Sequence, residues 1–184
     1  MSDPIEITGA LKTSDLPKSR PLLFSLAITP DLIDRIKTSL DLQDLRKLRL
    51  TGQLAPKDRQ DWHLTAKLGA TAVQSCIATG AAVVNRVDCD IERFFIANWA
   101  SHIPQESEAE MPEDDRFDPL GEVIDLEEIL TEALALALPD FPRDAQADPV
   151  EITAHPPGTG PIDVAETRPF AALADLKRKM DEEG

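Results

Sequence analysis

Apolar and polar residues alternate with a period of two between residues 48 and 92, and this alternation constrains the fold more than any other feature. The first run places Leu48, Leu50, Gly52 and Leu54 on one side of a strand and Lys47, Arg49, Thr51 and Gln53 on the other. A polar turn over 56–61 leads to a second run over 62–68, and a third run covers 83–92. Because successive side chains of a strand point to opposite faces, these runs predict a long antiparallel meander with one buried face.

Two helices are predicted to pack on this sheet. Thr29-Pro30-Asp31 combines an N-cap residue with a proline at the first helical position, and it opens a helix over 30–40. Asp125 stands three residues before Glu128, as in a capping box, and opens a second helix over 125–138. A short apolar run over 22–28 adds a strand. These elements predict an α+β fold, in which an antiparallel sheet of about five strands is packed by two main helices.

Charge divides the chain into three regions. Residues 1–100 carry 12 acids and 13 bases, residues 101–167 carry 18 acids and 2 bases, and residues 168–184 carry 4 of each. Acids and prolines without periodicity predict an acidic mobile loop over 101–122, and proline-rich composition predicts an extended tether over 140–167. Helical spacing after residue 168 predicts a C-terminal helical motif docked on a single domain that spans 1–184.

Patterns that carry catalysis or cofactor binding are missing from the sequence. It has no phosphate-binding glycine loop and no serine nucleophile elbow, and His63, His102 and His155 lie far apart. Cys76 and Cys89 lack the CxxC spacing of a redox pair and are too few for a four-ligand zinc site. We therefore expect no catalytic residue, metal or cofactor, although folding could still assemble an RNA-processing site. Without a secretory leader or a membrane span, we expect a cytoplasmic protein with no membrane partner.

Six cations cluster around the predicted hairpin. They are Arg46, Lys47, Arg49, Lys57, Arg59 and Lys67. If the strands pair as the alternation indicates, these side chains share one end and face of the sheet and could bind an RNA phosphate backbone. The alternative is the ordinary solvated face of an amphipathic strand. Because the chain has no tyrosine, backbone contact is favoured over base readout.

Motifs in the C-terminal half resemble those of a known family. Leu134-Ala135-Leu136-Ala137-Leu138-Pro139 ends the second helix, and Arg168-Pro169-Phe170 opens a stretch that continues to Lys177. Together they resemble the large ribosomal RNA subunit accumulation protein (YceD) family. In that family a strand ends in CxRC, and Cys76 matches its first cysteine, whereas Thr79 replaces the second and no cysteine occurs over 141–148. The resemblance therefore implies the family fold without a metal site carried by those cysteines.

The resemblance also implies a function. It predicts a non-enzymatic factor that supports 23S rRNA accumulation or processing and large ribosomal subunit assembly, with 23S rRNA or an assembly intermediate as partner. A second hypothesis is an acidic adaptor or chaperone, in which residues 106–118 screen a basic ribosomal protein. The simplest alternative for that acidic segment is solubility alone. Phe170 is expected to be an anchor in the core and not a ligand contact.

Overall fold

The computed structural model describes residues 4–57, 60–99, 116–145 and 147. The strands are β1 (Ile5–Ile7), β2 (Ala10–Lys12), β3 (Leu22–Leu26), β4 (Asp44–Lys57), β5 (Asp61–Ser75), β6 (Ala82–Ile96), β7 (Phe117–Pro119) and β8 (Val123–Asp125). The helices are α1 (Pro30–Ser39) and α2 (Leu126–Ala137), and a 3-10 turn covers Thr13–Asp15. Most of the acidic loop and the tether, the C-terminal motif with Arg168, Pro169 and Phe170, and Arg59 lie outside the described residues.

One mixed sheet forms the centre of the fold. Its six strands follow the order β1-β3-β4-β5-β6-β7. Each pair from β3 to β6 is antiparallel, whereas β1 pairs with β3 and β7 pairs with β6 in parallel. The α+β class is confirmed, but the prediction of a purely antiparallel sheet is wrong at both edges. Segments 8–21 and 97–116 separate the parallel partners, and connections of this length are what a parallel pair requires.

A second, two-stranded sheet joins the N-terminal segment to the start of α2. β2 and β8 are antiparallel, with Leu11 opposite the buried Ile124. Asp125 then caps α2, because its side chain accepts hydrogen bonds from the backbone N–H groups of Glu127 and Glu128. Neither β2 nor β8 was predicted, because three residues are too few for an alternation to be recognised.

The core lies between one face of the large sheet and the two helices. Within the sheet, Leu50 is opposite Leu68 and Leu54 is opposite Leu64, and all four side chains are buried. The helices contribute the buried residues Leu32, Ile36, Leu126, Ile129, Leu130 and Leu134. Arg35 of α1 donates to Glu127 of α2 over 2.6 Å and links the two helices. The predicted helices over 30–40 and 125–138 agree with these elements within one residue at each end.

The other face of the sheet is solvent-exposed, and we call it the open face. Its side chains include residues of β4 (Asp44, Arg46, Arg49, Thr51, Gln53, Ala55, Lys57), β5 (His63, Thr65, Lys67, Gly69, Thr71), β6 (Arg86, Asp88, Asp90, Glu92, Phe94) and β7 (Phe117). Lys67 and Asp90, at its centre, are 79% and 80% exposed. The buried side chains of α1 and α2 pack on the opposite side, and no described helix covers the open face.

A β-bulge brings Arg46 and Arg49 to the same face. Three positions separate these residues, a spacing that would place them on opposite faces of a regular strand. The register shifts between them, so that Arg46 is opposite Thr71 and Arg49 is opposite Gly69. Lys47 occupies the bulge with a φ of 53°. The irregularity therefore adds a cation to the open face.

Candidate functional site

Four of the six predicted cations share the open face. Arg46, Arg49, Lys57 and Lys67 all lie there by strand register. Lys47 lies in the bulge, and no ion pair to it is found among the described residues. Arg59 lies outside the described residues. Arg46 and Arg49 lie toward one end of β4 and Lys57 at the other, so the four cations share a face but not the single end that was predicted.

Two arginines converge on one carboxylate at one end of the open face. Arg86 binds both carboxylate oxygens of Asp88, and Arg49 Nη2 lies 3.2 Å from Asp88 Oδ1. The hydrogen bonds from Arg86 hold the pKa of Asp88 below its ordinary value. Both guanidinium groups lie over Gly69, where a Cβ atom would be 2.6 Å from Arg49 Nε and 3.0 Å from Arg86 Nη2. The group has two positive charges and one negative charge.

The other cations of the open face also have close neighbours. Arg46 Nε lies 2.9 Å from Asp44 Oδ2, and Lys67 Nζ lies 3.0 Å from Asp90 Oδ1. Lys57 Nζ lies 4.1 Å from the centre of the Phe94 ring, a cation–π contact. Each of these cations therefore has an acidic or an aromatic neighbour, and phosphate binding by this face stays a prediction. The alternation of Asp88 and Asp90 along β6 was the signal for this pairing, but only the strand register brings those acids beside the cations.

An aromatic ladder crosses three strands at the other end of the open face. The His63 and Phe94 rings stack with centres 4.3 Å apart and planes 4° from parallel. The Phe94 and Phe117 rings stack at 5.0 Å and 23°. This ladder was not predicted from the sequence, because its three members come from β5, β6 and β7 and become neighbours only through strand pairing.

Glu92 connects the ladder to a further cation. One of its carboxylate oxygens lies 3.0 Å from His63 Nε2, and the other accepts from Arg116 Nη1 at 2.7 Å. The hydrogen bond from His63, followed by that from Arg116, lowers the pKa of Glu92. This carboxylate therefore stays ionised near neutral pH and holds the imidazole in place.

A shallow groove of about 580 Å³ lies between the two ends of the open face. Neutral hydrogen-bonding side chains form part of its wall, namely Thr51, Gln53 and Thr65. Lys67, Asp90 and Glu92 add charges of both signs. The groove thus offers donors and acceptors between the arginine pair and the aromatic ladder.

Cys76 follows the last residue of β5 and lies in a network of hydrogen bonds. The backbone N–H of Asp144 donates to its Sγ at 3.3 Å, and the backbone N–H of Ile77 donates to the carbonyl of Pro142 at 3.0 Å. A hydrogen bond from the Thr79 side chain, followed by that from Asp144, lowers the pKa of the Cys76 thiol to about 7, although burial acts in the opposite direction. These contacts join the β5–β6 turn to the segment after α2.

Comparison with known protein families matches residues 64–177 to the large ribosomal RNA subunit accumulation protein YceD. The match covers more than half of the chain. The chain belongs to the YceD family. The matched range includes Lys67, Gly69, Arg86 and the aromatic pair Phe94 and Phe117. No curated protein and no solved structure matches the chain.

The family description names a role in large-subunit ribosomal RNA accumulation, and hence in ribosome biogenesis, and it names no enzymatic activity. In the described part of this YceD protein, no helix has the length and apolar character needed to cross a membrane. No group of three or more potential metal-ligating side chains occurs among the described residues. Around Cys76, a hydroxyl and a backbone N–H take the positions nearest the sulfur, and a donor N–H cannot ligate a metal. These residues do not fit a metal site.

Proposed function

We propose that this YceD protein supports 23S rRNA accumulation and large ribosomal subunit assembly as a non-enzymatic RNA-binding factor. Its open face contacts the phosphate backbone of 23S rRNA or of an assembly intermediate. Family membership supports the role in rRNA accumulation. The observation that supports direct RNA contact is the convergence of Arg49 and Arg86 on a single carboxylate, beside Arg46 and Lys67 on the same exposed face.

Ion pairs on the open face do not prevent phosphate binding. Exposed pairs of this kind contribute only about 0–1 kcal/mol each, so a phosphate can replace a carboxylate at little cost. Arginine binds phosphate through two parallel N–H donors, and the Arg49–Asp88–Arg86 group keeps one excess positive charge. The ion pairs hold the guanidinium groups in place before RNA arrives, and this reduces the entropy lost on binding.

The carboxylates of the open face suit a binding role better than a catalytic one. A general acid or base works best with a pKa near the working pH. The pKa values of Asp88 and Glu92 are instead lowered by their cationic and hydrogen-bonding neighbours. Both carboxylates are therefore ionised and already accept hydrogen bonds. This arrangement holds the side chains of the open face in place and suits binding better than proton transfer.

Charge reversal on the open face tests the proposed function. Arg49→Glu and Lys57→Glu should each weaken binding of any RNA by about tenfold, the scale of one charge-assisted hydrogen bond. Each should also lower the salt dependence of binding, by about 0.7 in the log–log slope for every single-strand phosphate that the variant no longer neutralises. The measurement is fluorescence anisotropy of a labelled 23S rRNA fragment across a salt series.

Lys37→Glu is the matched control, because it makes the same change in net charge on α1, behind the opposite face of the sheet. This variant should bind RNA nearly as well as the natural protein. Equal losses in all three variants would mean that net charge alone matters, and no loss in Arg49→Glu and Lys57→Glu would remove the open face from the proposed function.

The second candidate function, an adaptor or chaperone for a basic ribosomal protein, draws on a different observation. Residues 101–167 carry 18 acids against 2 bases, and ribosomal proteins are strongly basic. This function places the partner on the acidic segment and requires no RNA contact on the open face. The two proposals therefore differ in the molecule that is captured.

A further inference from the structure

We infer that the open face takes single-stranded RNA, and that one unpaired base extends the His63–Phe94–Phe117 ladder. This inference rests on the proposed RNA-binding function and adds the class of RNA to it. The observation behind it is the juxtaposition of stacked rings, a groove lined in part by hydrogen-bonding side chains, and cations on one surface.

The ladder has a vacant next position on β4. Neighbouring strands lie about 4.8 Å apart, and the ring spacings of 4.3 and 5.0 Å follow that distance. Phe117, Phe94 and His63 are cross-strand neighbours, and the residue opposite His63 on β4 is Ala55. A methyl group is too small to continue the stack. A base placed above Ala55 would lie one strand spacing from the imidazole, whose side chain is 29% exposed.

The position above Ala55 is surrounded by groups that could bind the edges of a base and its flanking phosphates. Gln53 precedes Ala55 by two residues on the same face and also lines the groove, together with Thr65. Amide and hydroxyl groups can donate to and accept from base edges, and carboxylates such as Glu92 accept from base amino groups. Lys57, two residues beyond Ala55, and Lys67 supply charge for the flanking phosphates. The groove volume of about 580 Å³ is in the range of small-ligand sites.

Single-stranded RNA matches this arrangement and duplex RNA does not. In a duplex, both faces of each base are covered by its neighbours, so only phosphates and the groove edges are available. An unpaired base can place one face on an aromatic ring, and such stacking tolerates any base sequence. A surface that needed only a duplex backbone would have no use for partly exposed aromatic groups beside its cations.

Two substitutions of His63 test the inference. His63→Leu keeps apolar volume but removes the aromatic face, and His63→Phe keeps an aromatic face but removes the hydrogen bond to Glu92. His63→Leu should weaken binding of a short labelled single strand by about 5- to 150-fold, the equivalent of 1–3 kcal/mol of stacking per base. His63→Phe should bind within about twofold of the natural protein. Binding of the same strand annealed to its complement should change little in either variant.

The outcomes separate this inference from the proposed function. If Arg49→Glu weakens binding of the single strand but His63→Leu does not, RNA binding stands and base stacking is overturned. Equal losses in His63→Phe and His63→Leu would assign the effect to the imidazole hydrogen bond, and would likewise overturn stacking. If the natural protein prefers the duplex, the assignment to single strands is wrong. If neither RNA binds, the proposed function fails as well. Thermal unfolding of both variants shows whether the fold is kept.

Discussion

Gly69 determines where positive charge collects on the open face. Without a Cβ atom at this position, the guanidinium groups of Arg49 and Arg86 both lie against the β5 backbone and share Asp88. Two like charges so close together would repel each other in isolation, and the carboxylate between them reduces that cost. A single glycine in the middle of a strand thus allows two guanidinium groups to gather at one point of the proposed RNA surface.

Thr79 controls the ionisation of Cys76. Because the folded pKa, about 7, lies below the ordinary value, ionisation favours the folded state. This contribution to stability is complete above the unfolded pKa of about 8.5 and disappears as the pH falls through 7. Thr79→Val removes the largest cause of the shift and should return the pKa of the thiol toward its ordinary value.

The measurement is the ultraviolet absorbance of the thiolate against pH, taken as the difference between the natural protein and Cys76→Ser. The second cysteine does not interfere, because burial raises the pKa of Cys89 and places its titration higher. A natural protein that half-titrates at or above the ordinary value, or a Thr79→Val variant with an unchanged titration, would contradict this account of Cys76.

Gly52 is essential to the packing of β4 on β5. A Cβ atom at this position would lie 2.3 Å from the Thr65 carbonyl oxygen and 2.7 Å from Ala66 Cα, so the paired backbones would have to separate. Gly52→Ala should therefore lower the free energy of unfolding by about 1–3 kcal/mol, the scale of overpacking in a core. Urea unfolding gives this value directly.

Gly121→Ala is the control for this prediction, because a Cβ atom there would make only ordinary contact, at 3.6 Å from the Val123 carbonyl oxygen. It should unfold at nearly the same urea concentration as the natural protein. A Gly52→Ala variant as stable as Gly121→Ala would mean that the β4–β5 pairing is looser than described.

Elements with local signals were predictable, and elements defined by distant pairing were not. Thr29 and Asp125 mark the helix starts within a few residues, and the long strands repeat their alternation many times. The parallel pairing of β1 with β3, and of β7 with β6, depends on which edges of the central sheet are free after the other strands have paired. The bulge at Lys47 was also beyond prediction, because the sequence on each side of it alternates normally.

The candidate site was predictable to the same limited extent. Lys57 and Lys67 could be placed on one face, because they lie on two strands joined by a short turn. The aromatic ladder and the Arg49–Asp88 pair involve residues more than twenty positions apart, which come together only through the register of the paired strands. No local pattern carries that information.

In the molecule as a whole, the two faces of the large sheet have different roles. One face is covered by α1 and α2 and supplies the core, so substitutions there act on stability. The open face has charged, polar and aromatic side chains and contributes little to the core. This division allows the open face to be changed without unfolding the protein, and we therefore place the partner there.

Crosslinking in growing cells tests that placement most directly. Ultraviolet irradiation of cells that produce the tagged protein, followed by purification and sequencing of bound RNA, identifies the captured molecule. Mass spectrometry of the RNA-linked peptides then locates the contact. We predict recovery of 23S rRNA, with linked peptides from β4, β5 and β6 that carry open-face residues. Recovery of a basic ribosomal protein without rRNA, or links confined to α1 and α2, would contradict the account.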